Sequence, residues 1–134
     1  AANVRVVHAD ALELPDDLRG FDRVLLDAPC SGLGVLASRP DLRWRSEPLP
    51  ELQRDLLGVA AERAKPGGSV VYSVCTLNAE ENEQVLDSSG LEVEPLVADW
   101  PQFAHPRRPE FLLTRPDRDR TSGFFIACMR PSQA

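Results

Sequence analysis

The sequence lacks the features that would indicate a membrane protein, a disulfide-rich scaffold or a metalloprotein. No apolar run among the 134 residues approaches the roughly 18 residues that a membrane-spanning helix needs. The three cysteines are an odd number without regular spacing, and neither a Cys-x-x-Cys motif nor a His/Cys cluster occurs. We therefore predict free thiols in a reducing cytoplasm, no contact with a membrane and no bound metal.

An excess of positive charge is also absent. The chain carries 15 Lys and Arg residues against 21 Asp and Glu residues, a net charge of −6. This balance argues against a protein that coats nucleic acid by bulk electrostatics, but it leaves room for a local basic surface. Fourteen of the 15 basic residues are arginines, whose planar side chains suit contacts with phosphates and stacking on bases.

Apolar stretches that alternate with helical patterns predict an α/β domain. Five stretches have the composition of strands: Asn3–Asp10, Asp22–Pro29, Ser69–Thr76, Leu91–Val97 and Gly123–Arg130. The second contains a continuous apolar run, as expected of a strand buried on both faces of a parallel sheet. One helix is predicted over Leu49–Ala64, and another begins at Asn78, with Glu81 at the spacing of a capping box. Residues 98–122 carry four prolines and five arginines and are predicted to be loop. This order of elements favours a mainly parallel sheet.

Four reactive side chains end or follow the predicted strands, namely Asp10, Asp27, Cys30 and Cys75. In parallel sheets, ligands bind at the edge formed by the carboxyl ends of the strands. A cysteine there could be a nucleophile, and Cys75 comes shortly before the predicted start of a helix, whose positive end favours a thiolate. The alternative is that both cysteines are ordinary buried residues and that the two aspartates only close turns.

Other polar residues favour structural roles. Cys128, inside the last predicted strand, is predicted to be a core residue. The acids Glu80, Glu81 and Glu83 are predicted to be solvated residues of a first helical turn. The two histidines are isolated from each other and from the cysteines, so a metal site is not expected.

Two longer motifs carry a family resemblance. The segments "LLDAPCSGLGVLASRPDLRWR" and "GGSVVYSVCTLNAEENE" resemble the two most specific motifs of the RNA cytosine-C5 methyltransferases of the Sun/Fmu (RsmB) type, which are related to the Nop2/NSUN enzymes. The closing "SGFFIACMR" is similar to the last strand of that family. The similarity covers nearly the whole chain, and it implies a Rossmann-like class I methyltransferase sheet.

The resemblance implies a reason for two thiols. C5 of cytosine becomes reactive after a thiolate adds to C6, and the C5 proton must later leave so that the thiolate can depart. By the family pattern, Cys75 matches the attacking nucleophile, and Cys30 matches the cysteine that assists proton removal and release of the product. The implied methyl donor is S-adenosylmethionine. Asp27 would hold the base or the amino end of the cofactor, and Asp10 matches an acid that faces its adenosine part.

The resemblance also implies an RNA partner, in particular small-subunit (16S) ribosomal RNA. Arg39, Arg43 and Arg45 beside Trp44, together with the loop Arg107–Arg120, could contact phosphates and stack on bases. The alternative is a solvated loop in which the tryptophan serves as a packing anchor.

The chain departs from the family pattern in ways that shape our expectations. The Gly-rich cofactor loop and the first two strands of the family sheet would precede Ala1, so residues 1–134 are interpreted as the C-terminal portion of one catalytic domain. Ser122 stands where the family usually has Asp. In the family strand order, the strand at Asn3–Asp10 would lose its only neighbour, while the other four strands remain contiguous. We predict that this strand is displaced or self-associates, because unpaired edges invite pairing.

We further predict that the chain alone neither binds S-adenosylmethionine tightly nor turns over. Two other functions stay open at this point. The chain could be a non-catalytic module that binds RNA or protein, or it could belong to a DNA cytosine methyltransferase, in which a Pro-Cys cysteine is the nucleophile. Fold alone does not separate these functions.

Overall fold

The computed structural model describes residues 2–131. The strands are β1 (Phe21–Asp27), β2 (Ala64–Val74), β3 (Glu92–Glu94), β4 (Leu112–Thr114) and β5 (Phe124–Arg130). The α-helices are α1 (Leu42–Arg45), α2 (Pro50–Arg63), α3 (Glu83–Asp87) and α4 (Pro116–Asp119), and a 3-10 helix covers Pro101–Phe103. No helix in this part of the chain has the length and apolar character that crossing a membrane requires.

The five strands form one sheet in the order β1-β2-β5-β3, and β4 pairs with residues 124–126 of β5. Four predicted strands are therefore contiguous, as the methyltransferase order requires. β1 pairs in parallel with β2, and β5 is antiparallel to β2, β3 and β4, so four of the five strands run in one direction, as the prediction of a mainly parallel sheet requires, and only β5 is reversed. The segment between β4 and β5 contains only the short α4, and a parallel connection needs a dozen or more residues.

Helix α2 covers one face of the sheet and confirms the predicted amphipathic helix. Its residues Leu56, Leu57 and Ala60 are buried, and Leu57 and Ala60 belong to one apolar cluster with alternate residues of β2 and β5. Tyr72 and Phe125 from these two strands are fully buried, with their rings in an edge-to-face contact. Packing in this core holds β1 and β2 in place and so positions the residues that follow them.

The segment before β1 does not form the strand predicted at Asn3–Asp10. Residues 3–10 have no regular strand structure and are exposed, with Val6 90% accessible. No strand lies beside them among residues 2–131, and a lone strand cannot pair its backbone. The prediction that β1 is buried on both faces was wrong for the same reason. Val24 and Leu26 pack on the core, but Leu25 points the other way and is 70% exposed.

Three other elements differ from the sequence-based prediction. The helix expected from Asn78 begins as turns, and only Glu83–Asp87 is α-helical. The predicted strand Leu91–Val97 shortens to β3. The predicted loop 98–122 contains β4 and two short helices, because Phe111 within it is fully buried against Phe125, with ring centroids 5.2 Å apart.

Candidate active site

The two predicted cysteines meet where β1 and β2 end. These strands are parallel and adjacent, with Asp27 opposite Ser73, so the residues that follow them come out at the same edge of the sheet. Cys30 lies three residues after β1 and Cys75 directly follows β2. Their Sγ atoms are 3.4 Å apart, and both thiols are free and half-buried. The prediction that the chain brings these residues together at one sheet edge is confirmed.

The surroundings of Cys30 keep it in the thiol form. Burial raises the pKa of Cys30 to about 12, and the hydrogen bond with Cys75 adds to the effect. Two thiols in contact cannot easily both ionise, because the two negative charges would repel at short range. Cys30 therefore stays a thiol and can donate a hydrogen bond to the sulfur of Cys75.

A buried carboxylate ties the loop after β1 to the neighbouring segments. Glu81 is fully buried. Its Oε1 accepts hydrogen bonds from the backbone N–H of Ser31 at 2.9 Å, the backbone N–H of Leu49 at 3.2 Å and Nε2 of Gln53 at 3.1 Å. Its Oε2 accepts the Ser31 hydroxyl at 2.5 Å. The prediction that this acid is solvated was wrong, and its side chain does not complete the capping box predicted with Asn78.

Further hydrogen bonds hold the residues on either side of the two cysteines. Gln53 donates from Nε2 to the carbonyl of Pro29 at 2.8 Å, directly before Cys30. The carbonyl of Thr76, directly after Cys75, accepts a bond from Nδ2 of Asn82 at 3.1 Å. Gln53 and Asn82 are both buried, so these contacts are protected from competition with water. The backbone next to each thiol is therefore anchored.

A glycine allows the loop after β1 to lie against the end of β2. The backbone N–H of Gly34 donates to the carbonyl of Cys75 at 2.9 Å, and the carbonyl of Gly34 accepts the N–H of Gly123 at 2.8 Å. A Cβ atom at position 34 would lie 2.0 Å from the carbonyl oxygen of Gly123. Only a residue without a side chain fits this approach, which explains one of the glycines that follow the first cysteine.

The two predicted cofactor residues have different environments. Asp27 is the exposed last residue of β1, and its carboxylate makes no hydrogen bond or ion pair with another residue in the range 2–131. Its place at the carboxyl end of β1 is the one predicted for it. Asp10 lies in the irregular segment before β1, not at a strand end, and its Oδ1 accepts the N–H of Leu12 at 2.9 Å. This is the turn-closing role given above as its alternative.

The candidate RNA-contacting residues divide into free and paired groups. Trp44 in α1 is 78% exposed, and the guanidinium of Arg43 lies 6.0 Å from the centre of its ring. Its exposure argues against the packing-anchor alternative. Arg39 is paired with Asp41 at 3.0 Å. In the loop Arg107–Arg120, three arginines form ion pairs with nearby acids, namely Arg108, Arg115 and Arg118.

A second buried polar pair lies outside the site. Nε2 of His105 is 2.6 Å from Oε1 of Glu83, and both side chains are buried. Nδ1 of His105 accepts the backbone N–H groups of Arg107 and Arg108. Burial lowers the pKa of His105, so the ring is neutral and structural.

Cys128 is buried, as predicted. Residues 2–131 hold no cluster of three or more groups that could bind a metal ion.

The sequence did carry a signal for the missed carboxylate. Gln53 lies one helical turn after Leu49 and one turn before Leu56, so it falls on the apolar stripe of α2. A polar residue on a buried stripe needs a buried partner. Glu81 is that partner, but the spacing alone does not reveal it.

Comparison with known proteins identifies the family. A sequence profile described as "16S rRNA methyltransferase RsmB/F" matches residues 1–130. The chain belongs to the RsmB/F family. Ribosomal RNA small subunit methyltransferase F of Serratia proteamaculans is 37% identical over 96% of this chain. A probable ribosomal RNA small subunit methyltransferase B of Synechocystis is 42% identical over 81% of it.

A solved structure agrees with this membership. NSun6 from Pyrococcus horikoshii with SFG is 34% identical, with a TM-score of 0.79 over 98% of this chain. This similarity confirms the class I methyltransferase sheet. The RsmB/F chain described here spans about 30% of the length of the curated relatives that it matches, and it covers 35% of the NSun6 chain.

Proposed function

We propose that the protein transfers a methyl group to C5 of a cytosine in small-subunit ribosomal RNA, through a covalent adduct between Cys75 and the base. The observation that carries the proposal is the contact between two free thiols, 3.4 Å apart, at the ends of adjacent parallel strands. The rRNA methyltransferases among its relatives support the RNA substrate.

The reaction needs two groups with different tasks. Addition of a thiolate to C6 of cytosine turns the ring into an enamine that is nucleophilic at C5. After methyl transfer, the C5 proton must be removed so that the C6–S bond can break. A single cysteine would serve the addition, but a second group beside it is useful when the sulfur departs. The pair of thiols supplies the nucleophile for addition and a hydrogen-bond donor for the departing sulfur, while the C5 proton passes to solvent water.

We assign addition to Cys75 and assistance in release to Cys30. The raised pKa of Cys30 keeps its proton in place at neutral pH, so its S–H can donate to Sγ of Cys75. That hydrogen bond stabilises Cys75 as a thiolate before addition and again as a leaving group. Cys30 is therefore suited to product release, while the assignment of addition to Cys75 rests on the family resemblance of its motif.

The cofactor and the RNA would approach from the same edge of the sheet. S-adenosylmethionine, when bound, supplies the electrophilic methyl group, and SFG, an analogue of it, accompanies the NSun6 relative. Asp27 is the residue of this chain best suited to its amino end or to the base. Trp44 offers an exposed ring on which a base can stack, with Arg43 near phosphates. Asp10 remains a weaker candidate for the adenosine part.

The test is methyl transfer by the complete gene product to small-subunit ribosomal RNA, with labelled S-adenosylmethionine. We expect Cys75→Ala to abolish transfer. We expect Cys30→Ala to accumulate a protein–RNA complex that survives denaturing electrophoresis, because addition proceeds and release fails. Cys128→Ser is the matched control, since Cys128 is also a buried thiol but lies inside β5. It should retain activity.

The other outcomes distinguish the alternatives. Full activity of Cys75→Ala would overturn the nucleophile assignment. Methylation of a DNA oligonucleotide of the same sequence, but not of RNA, would favour a DNA methyltransferase. RNA binding without transfer to either nucleic acid would favour a non-catalytic module.

A further inference from the structure

An acidic side chain without access to solvent lies between the two segments that carry the thiols. Glu81 is fully buried, and its carboxylate receives four hydrogen bonds from Ser31, Leu49 and Gln53. A buried carboxylate is costly unless donors surround it. Here the donors come from the loop after β1 and from the start of α2, while Glu81 itself follows Cys75 in the chain. One carboxylate therefore joins three separate segments.

The directions of the hydrogen bonds extend this link to the residue next to Cys75. The Ser31 hydroxyl has one hydrogen, which goes to Oε2 of Glu81 at 2.5 Å. The contact of 2.8 Å between Oγ of Ser31 and Oγ1 of Thr76 must then be donated by Thr76. A directed chain runs from Thr76 through Ser31 to Glu81. Its first two members are the immediate successors of Cys75 and Cys30.

We propose that Glu81 is a positioning residue, whose carboxylate holds the Cys30–Ser31 segment against the Cys75–Thr76 segment and so keeps the two thiols in contact. It does not touch the sulfur atoms and acts through Ser31 and Thr76. The catalytic consequence rests on the function proposed above, but the geometric one does not. A hydrogen bond between two thiols requires a fixed separation of the sulfur atoms. Small displacements of reacting groups strongly lower the rate of a reaction.

Glu83 provides a matched control within the same structure. It is also a buried acid close to the start of α3, but its partner is His105, and no hydrogen bond joins its side chain to Ser31 or Thr76 among residues 2–131. A change at either acid disturbs a buried polar contact. Only a change at Glu81 should disturb the thiols.

The geometry can be tested without any catalytic assay. Phenylarsine oxide condenses with two neighbouring thiols, forming two As–S bonds while its oxygen leaves as water with the two thiol protons. Its dissociation constant would be measured by competition with dithiothreitol, in the 134-residue chain carrying Cys128→Ser so that two thiols remain. We expect one arsenic per chain, and we expect Cys30→Ser or Cys75→Ser to remove this binding.

The Glu81 variants should then form a series. Glu81→Ala should weaken arsenic binding by about 10- to 100-fold, the cost of losing preorganised geometry. Glu81→Gln should be intermediate, because Oε1 can still accept three N–H groups while the hydroxyl chain must reverse. Ser31→Ala removes the hydroxyl link alone and should also weaken binding. Glu83→Gln should bind as the parent does. Circular dichroism and cooperative thermal unfolding identify the variants that fold.

The proposal is overturned if the parent fails to bind the arsenical, or if the folded variants among Glu81→Ala, Glu81→Gln and Ser31→Ala all bind as tightly as the parent. Equal weakening in Glu83→Gln would also overturn it, by showing a general loss of stability. In the complete gene product, Glu81→Gln should lower kcat for methyl transfer while leaving the KM for RNA unchanged. An inactive parent that still binds arsenic would refute the proposed function and leave the positioning role standing.

Discussion

Residues 4–10 and residues 21–27 are both stretches rich in apolar residues that end at an aspartate, but only residues 21–27 form a strand. Residues 24–27 pair in parallel with residues 70–73, and two of them pack on the core. The segment from Ala28 to Val35 is then held by Gln53, Glu81 and the carbonyl of Cys75. Residues 4–10 have no such neighbours and remain exposed. The difference shows that a strand sequence becomes a strand when its pairing partner is present.

The largest effect on stability is expected in the loop after β1, where it comes closest to the neighbouring backbone. Gly34→Ala places a Cβ 2.0 Å from the carbonyl oxygen of Gly123 and 2.9 Å from that of Cys75. Relief of this clash would require a shift of the backbone. We therefore expect a loss of about 3 kcal/mol or more in the free energy of unfolding. Urea denaturation of the chain would measure it.

Gly58→Ala is the control for this substitution. Gly58 lies in α2 with open space around its Cα, and the change should stabilise the chain by about 0.5–1 kcal/mol. If both variants had the same stability, the close approach of the loop after β1 to β5 would be refuted.

A smaller effect on stability is expected where the irregular segment before β1 contacts helix α2. Arg63 is buried at the end of α2 and donates to the carbonyls of Leu14 at 3.2 Å and Pro15 at 3.1 Å. Arg63→Ala should cost about 1–2 kcal/mol, because bonds from a charged donor and side-chain packing are both lost. Trypsin should also cleave after Arg19 more rapidly.

Arg54→Ala tests the specificity of that attachment. Arg54 is in the same helix but is exposed, with a single bond to the Ser88 hydroxyl at 3.1 Å. It should change stability by less than about 0.5 kcal/mol. Unchanged cleavage after Arg19 in Arg63→Ala would contradict the anchoring role.

The smallest effect is expected in the exposed run itself. Val6 is 90% exposed and Val70 is fully buried in β2. Val6→Thr should shift the free energy of unfolding by less than about 0.5 kcal/mol. The same change at Val70 buries a hydroxyl in the core and should cost about 1–3 kcal/mol. Denaturation of both variants would measure the contrast, and a large loss in Val6→Thr would mean that residues 4–10 are structured in solution.

Local patterns were sufficient to predict most of the elements that position the thiols. The leucine stripe of α2 and the apolar runs of β1, β2 and β5 were predicted because periodicity and composition are local properties. Cys30 and Cys75 were expected at one edge, since parallel strands end together. Their contact follows from the pairing of β1 with β2, which the sequence order of the elements favours.

The remaining features depend on contacts that no local pattern contains. Glu81 has the spacing of a helix-capping residue, but its carboxylate is taken by Ser31, Leu49 and Gln53, which are distant in sequence. Phe111 lies among prolines and arginines that indicate loop, yet it packs on Phe125. Val6 lies in a stretch with the composition of a strand. It is exposed because no strand lies beside it among residues 2–131.

The hydrogen bond from Gly123 to Gly34 also bears on the order in which parts of the site form during folding. Synthesis proceeds from the amino end, so both thiols emerge well before the strand that closes over their loops. Until β5 is added to β2, the carbonyl of Gly34 lacks its hydrogen-bond donor and the apolar core lacks Phe125. We therefore expect the loop that carries Cys30 to reach its final geometry at a late stage of folding, when long-range contacts form. The fixed geometry of the thiol pair is thus expected only in a chain that has added β5.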